Sequence, residues 1–296
     1  MVVVAGCVVL VLAGLAAVVR WGGLTVEPPR APGPGARGPD DPEERGADDP
    51  PPVGLVVRRY LWAVNLAVAA GVGAGIMAAG AGGRLVMRLL AATSGDRAQG
   101  RITEAAEVVG RISVGGTIGF VVFTALFFGS ATGGVYLLVR RWLPAGRAGG
   151  LTYGALLLVL AGTRLDPLRE ANPDFDLVGP GWLSVLAFSA LVLFHGMLVA
   201  ALAGRIGRAV PLLSRDPRAV AGHAPLLLLG PLPPVVLALA VVGALVVLAT
   251  RARPVIAAWH APRLRPAGQA VLALAALAAL PGFVAAVAGI LGRGSG

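Results

Sequence analysis

Long apolar runs, separated by short connectors that carry arginine, set the pattern of this chain. The runs are unbroken rather than striped at the 3.6-residue period of a water-facing helix, which makes each a candidate membrane span. Val2 to Val19 is the first, 18 apolar residues, just long enough to cross. It lacks a basic leading region and an A-x-A cleavage site, so it reads as a retained span. Leu61–Gly83 and Ile112–Leu138 are the second and third. Gly149–Thr163 is the weakest, with 16 uncharged residues between Arg147 and Arg164. Leu183–Ala203 is the fifth and Ala224–Thr250 the sixth. Pro225, Pro231, Pro233 and Pro234 predict a kinked or non-helical start to the sixth. Gln269–Leu291 is the seventh, with a bend expected at Pro281. The expected fold is all-α: a polytopic transmembrane helix bundle of about seven spans, six if residues 149–163 are re-entrant.

The polar stretches divide the chain into residues 1–20, a first transmembrane helix, 21–57, a linker, and 58–296, a multi-pass membrane domain. The linker holds P-P, P-G-P-G, D-D-P-E-E and D-D-P-P-P, a composition that cannot bury enough apolar surface to order itself. Its length isolates the first span, leaving spans two to seven as the compact unit. Residues 84–110 are amphipathic, with Arg84 and Arg88 on one face and a break at Ser94-Gly95-Asp96. There Thr103 is expected to cap a short helix through Glu104 and Glu107 that Gly110 closes. This segment reads as a capped connector, with a lid over the bundle as the alternative. A second polar loop, Thr163–Gly181, carries Asp166, Glu170, Asp174 and Asp176.

Composition narrows the class. Hydrophobic residues make up 56% of 296 and charged ones 14%, with mean hydropathy +0.80. Every basic residue is arginine, and net charge is +10. These arginines lie in ones and twos at span ends, the signature of membrane flanks, whereas a nucleic-acid surface needs a clustered basic face. No nucleic-acid partner is expected; the expected surroundings are a lipid bilayer, with a membrane-protein partner or a second copy of the chain. A codon-biased, GC-rich composition points to a bacterial plasma membrane. Cys7 is the single cysteine, so no internal disulfide forms. Arginines split 14 to 11 between alternate connectors of the seven-span scheme, favouring a cytoplasmic linker, an external N-terminus, an internal C-terminus and an external acidic loop.

Candidate chemistry is sparse. G-x-S-x-G, H-E-x-x-H, Walker and C-x-x-C motifs are absent from the sequence, so no catalytic residue, metal or cofactor is expected and the chain reads as non-enzymatic. His195 falls roughly 15 to 20 Å below Trp182, near mid-bilayer. An ionisable group at that depth faces the bundle interior and a partner. With Asn65 and Ser184 it forms the candidate intramembrane polar site, alternatively a histidine bonded to a neighbouring carbonyl, hydroxyl or Asn65. Asn172, Asp174 and Asp176 resemble the opening of a calcium loop, but Leu177 and Leu183 stand where such a loop needs Gly and Glu. Gly71 and Gly75 in the second span, and Ala125, Gly129 and Gly133 in the third, are expected helix-packing faces, because small residues let backbones approach in lipid. The functional expectation is an accessory, assembly or helix-interaction protein, with a small permease or channel for a neutral or weakly polar solute as the alternative.

Overall fold

The computed structural model describes residues 1–27, 52–104, 107–165, 167–169, 171–251 and 264–293. Linker residues 28–51, the His260 connector and the loop carboxylates Asp166 and Glu170 lie outside the described residues, whereas Trp21 closes the first helix and Val53 opens the second. The fold is an all-α bundle of apolar helices, and the chain is a multi-pass membrane protein. Its helices are α1 (Val2–Trp21), α2 (Val53–Thr93), α3 (Val114–Trp142), α4 (Arg147–Ala161), α5 (Gly181–Ala209), α6 (Pro233–Arg251) and α7 (Leu264–Arg293). Five of them, α1, α2, α3, α5 and α7, are long and apolar enough to cross a membrane. α4 is 15 residues long, about 22 Å at 1.5 Å per residue, yet its two ends reach opposite faces of the bundle. Arg147 at its start donates to the Val19 carbonyl beside the linker, whereas its far end leads into the acidic loop.

Two faces can be named from what gathers there. The linker face holds the C-terminal end of α1, the start of α2 and the ends of α3 and α5. Arg140 donates to the Val26 carbonyl, Arg208 pairs with Glu27 at 3.0 Å, and Arg205 lies over the Trp21 ring. The opposite face holds the acidic loop. It is pinned by two buried apolar anchors, Leu168 and Phe175, packed with Leu158, Val192 and Ile290. Gly179, in a left-handed conformation (φ +64°), then turns the chain into α5 and donates its N–H to Ser94 Oγ at 2.7 Å.

Several expectations change. The first helix is not an appendage: Ala17 and Val18 belong to the main buried core, and Gly14 packs against Met77, Phe194 and Leu198. Tyr136 does not mark an interface but is buried edge-on against Tyr153, with ring centroids 5.2 Å apart. The helix predicted after Thr103 is a loop instead. Ile102 and Val108 form an antiparallel bridge, Thr103 N–H donates to the Glu107 carbonyl, and Thr103 Oγ1 accepts from the Glu107 N–H. Thr103 does cap a backbone donor there, but the donor closes a hairpin-like turn rather than opening a helix.

The sixth apolar run departs most. Ala224–Leu229 is a 3-10 turn, and α6 begins at Pro233, so the proline-rich start is indeed not α-helical. α6 then packs antiparallel to the first two turns of α2. Tyr60 donates to the Leu239 carbonyl at 2.6 Å and covers Gly243, while Val247 and Leu248 lie beside Val53 and Val57. The far end of α6 therefore lies with the start of α2, on the linker face. α7 also starts on that face, with Gly268 against the Trp142 indole, and ends on the other, where the Ile290 carbonyl meets Gly181. Arg293 there faces Asp176 at 3.7 Å. Both ends of α6 thus share one face. Among the described residues, twelve arginines belong to the linker face and eight to the acidic-loop face.

Candidate functional site

Two helices carry π-helical turns at matching depth, Gly75–Gly80 in α2 and Thr124–Gly129 in α3, and these turns pack on each other. A π turn widens the helix by one residue and is often retained at functional sites. Here the wide turns bring Gly75 to Ala125, where a Cβ on Gly75 would stand 2.6 Å from the Ala125 Cα. One turn further on, Gly71 touches the Gly129 carbonyl, and Gly133 touches the Ala67 carbonyl. The five predicted packing residues, Gly71, Gly75, Ala125, Gly129 and Gly133, are brought together in one backbone-to-backbone seam.

The buried polar site adjoins this seam. His195 on α5 is 2% exposed, and its Nε2 lies 2.9 Å from Thr132 Oγ1 on α3. That hydroxyl also lies 2.9 Å from the Gly129 carbonyl, to which it donates. The Thr132 hydroxyl is thus shared between His195 and the Gly129 carbonyl, and the Ala74 backbone also lies in hydrogen-bonding relation to the imidazole. Tyr153 on α4 donates its phenol proton to the Thr132 backbone carbonyl, and Phe128 lies against the imidazole with centroids 5.3 Å apart. Thr132, Tyr153 and His195 therefore tie α3, α4 and α5 at one point.

The other two predicted members lie elsewhere. Ser184 is eleven residues before His195 on the same helix, roughly 16 Å away along its axis. It is fully buried, and its Oγ has no hydrogen-bond partner. Asn65 stands nine residues before Ala74 on α2, at the linker-face end, and donates to the Gly222 carbonyl at 3.0 Å. Its neighbour Trp62 donates to the Val210 carbonyl. Asn65 thus anchors the 210–222 connector and does not reach His195.

Sequence reasoning passed over Thr132 and Tyr153 as site members. The signals were present in both cases. Thr132 is a hydroxyl inside the small-residue run G-S-A-T-G-G, and Tyr153 lies beside Gly150 and Gly154, one turn apart. Those glycines form a second seam. A Cβ on Gly150 would stand 2.9 Å from the Met197 Cα, one on Gly154 2.8 Å from the Leu193 Cα, and Gly196 meets Gly154 directly. This seam holds α4 against α5 and so sets the Tyr153 phenol over Thr132.

The two described loop carboxylates, Asp174 and Asp176, go to separate partners. Asn172 Oδ1 accepts from the Asp174 N–H, Asp174 Oδ1 accepts from the Glu104 N–H across the cap, and Asp176 faces Arg293. Arg169 pairs with Glu104, and Arg164 donates to Leu160 at the end of its own helix. Among the described residues no three His, Cys, Asp or Glu side chains are grouped to hold a metal. Arg84 is a cationic clamp, its side chain 11% exposed, donating to the Gly116 carbonyl at 2.6 Å and pairing with Glu107 while lying over Phe120. It ties the end of α2 to the start of α3. No family model, curated protein or solved structure matches the chain.

Proposed function

We propose that this protein is a non-enzymatic membrane component, an accessory or assembly factor that works through helix contacts in a bacterial plasma membrane. The observation that carries the reading is the closure of the bundle interior. Two seams of backbone-to-backbone contact run through it, and His195, Thr132 and Tyr153 bond to one another and to helix carbonyls rather than lining a common path. Solute transport calls for convergent polar groups along a passage; here Asn65, His195 and Ser184 are separated by several helical turns. The arginine excess of the linker face supports a cytoplasmic linker, with both termini and the acidic loop outside.

The test is quantitative membrane proteomics of a deletion strain. An accessory role predicts loss of one defined membrane complex, restored by the wild-type gene and by His195→Ala. A specific observation keeps the permease reading in view: a buried imidazole beside paired π turns. Proteoliposome flux of small neutral solutes separates the two. Saturable flux that His195→Ala abolishes would replace the accessory role with a permease. Orientation has its own check. Single cysteines replacing Ser214 and Arg265 should be labelled from the same side of the membrane, because the fold puts the start of α7 on the linker face. Labelling from opposite sides would restore a crossing sixth helix.

A further inference from the structure

The chain leaves α1 through a cage of arginines. Residues 19–27, the end of α1 and the first part of the linker, are met by four guanidiniums from three other helices. Arg140 of α3 donates to the Val26 carbonyl, and Arg147 of α4 donates to the Val19 carbonyl. Arg205 of α5 lies over the Trp21 ring, and Arg208 of α5 pairs with Glu27. The stem of Arg147 packs at Gly22, next to the residue that Arg205 covers, so these two reach the chain at adjacent positions. Arg20, within the stretch itself, makes five. The stretch holds one carboxylate, Glu27, and Arg208 already pairs with it. Arg140 and Arg147 each spend an N–H on a neutral carbonyl, and Arg205 has a ring face for its partner. A guanidinium carries five donors, so most of theirs are unspent.

Position decides what such a cluster meets. α1 has 20 residues, about 30 Å at 1.5 Å per residue, so it crosses the hydrocarbon core and ends at its edge. Trp21 and Trp142, closing α1 and α3, are aromatic markers of that edge. Directly below it, Val8, Leu12, Leu15 and Val19 are exposed and recur at intervals of four, three and four residues, one outward stripe along α1. The other side of the helix, at Gly14, Ala17 and Val18, is buried in the bundle. We propose that this end of α1 is a binding site for an anionic phospholipid, with Arg147 and Arg205 clasping the phosphodiester and an acyl chain lying along the stripe. Basic pockets between membrane helices take anionic headgroups, and the planar guanidinium fork matches two phosphate oxygens at once. A soluble anion would use the arginines alone, whereas a lipid engages both arginines and stripe. Bound there, the lipid ties α1 to α4 and α5 at the point where the linker departs.

The experiment presents the full chain with equimolar phosphatidylglycerol and phosphatidylcholine in detergent and reads the retained lipid by native mass spectrometry. Phosphatidylglycerol should be retained several-fold over phosphatidylcholine. Arg147→Gln with Arg205→Gln should bring the two lipids to parity. Arg215→Gln with Arg218→Gln removes the same charge from exposed positions on the same face outside the cluster, and should leave the preference intact. Where the first pair fails to fold, Arg205→Gln alone carries the test, since that side chain is exposed, and it should still reduce the preference. Equal retention of the two lipids by the wild-type chain overturns the site. So does an equal loss from both pairs, which would make the attraction a property of the whole face. Glycerol phosphate, the headgroup without its chains, separates lipid from soluble anion. At millimolar concentration it should leave the phosphatidylglycerol in place, and displacement overturns the lipid assignment. Each of these failures leaves the accessory role standing, because that role rests on the closed interior of the bundle.

Discussion

The α2–α3 seam and α6 are built from similarly apolar sequence and have opposite fates. The middle of α2, A-A-G-V-G-A-G-I-M-A-A-G-A-G-G, is so poor in side chain that its backbone meets that of α3. α6, V-V-L-A-L-A-V-V-G-A-L-V-V-L, carries one glycine, and Tyr60 docks at that glycine. In water both runs would be driven inward by the same hydrophobic term. In lipid that term is nearly equal for Leu against Leu and Leu against an acyl chain, so close van der Waals approach decides what is buried. At the seam small residues mark the interior, while along α6 large aliphatics lie outward. α5 mixes the two: Gly196, Ala200, Ala201, Ala203 and Gly204 are buried together with Leu198, Val199 and Leu202, whereas Leu186 is 60% exposed.

That contrast is broken most severely at the seam. Gly71→Ala puts a methyl group into the Gly129 carbonyl, a backbone atom that cannot rotate away. The two helices must separate along their length, at a cost of about 3 kcal/mol, the upper range for overpacking. Denaturation by SDS titration, followed by circular dichroism, should show it as an early midpoint. A midpoint matching wild type would mean that the seam does not hold the bundle. Gly196→Ala should cost about 2 kcal/mol in the same assay and loosen α4 in particular, since the new methyl meets the Gly154 backbone.

The polar node gives a smaller effect. Thr132→Val keeps the shape and removes the hydroxyl between Gly129 and His195, and His195→Leu removes the imidazole. A double-mutant cycle between them should give a coupling of about 0.6 kcal/mol, rising to about 1.7 at most, the range for interhelical hydrogen bonds in membranes. Zero coupling would dissolve the node. Smaller again is Tyr60→Phe, which removes the bond to Leu239 at about 0.5–1 kcal/mol. Its readout is local: the distance distribution between labels at Val57 and Val247 should broaden while the SDS midpoint of the bundle stays in place.

How much of this was legible in the sequence follows from the same physics. The seam was readable because its cause is local composition: four-residue spacing of Gly71 and Gly75, and of Ala125, Gly129 and Gly133, already defines a face. His195 was readable as an inward group because its depth and its cost are properties of one residue and one helix. Its partners were not, because Thr132 and Tyr153 reach it only through the crossing of three helices, and a threonine in a small-residue run satisfies itself on its own helix as easily as it bonds across. The fate of α6 was illegible for another reason. Hydropathy measures affinity for lipid and is silent on whether the two ends of a run come to rest on the same face. The failed helix after Thr103 belongs here too. Threonine with glutamate beyond it suits a helix cap, but the same hydroxyl closes a tight turn equally well, and the antiparallel bridge between Ile102 and Val108 decides for the turn.

The weakest effect probes the other side of the comparison. Leu245 is 58% exposed, on the side of α6 away from Tyr60, and it touches neither seam. Leu245→Ser should leave the SDS midpoint of the bundle within about 0.5 kcal/mol of wild type, the usual range for surface positions. In a soluble helix bundle, replacing a leucine on an all-apolar helix would be read as loss of core and would cost several times that. Here the leucine trades lipid contact for lipid contact in both the intact and the unravelled bundle, so its removal cancels between the two states. A shift of 2 kcal/mol or more would show that α6 packs on the bundle through its leucine stripe, and the division between small-residue interior and large-residue surface would fail at the helix that illustrates it best.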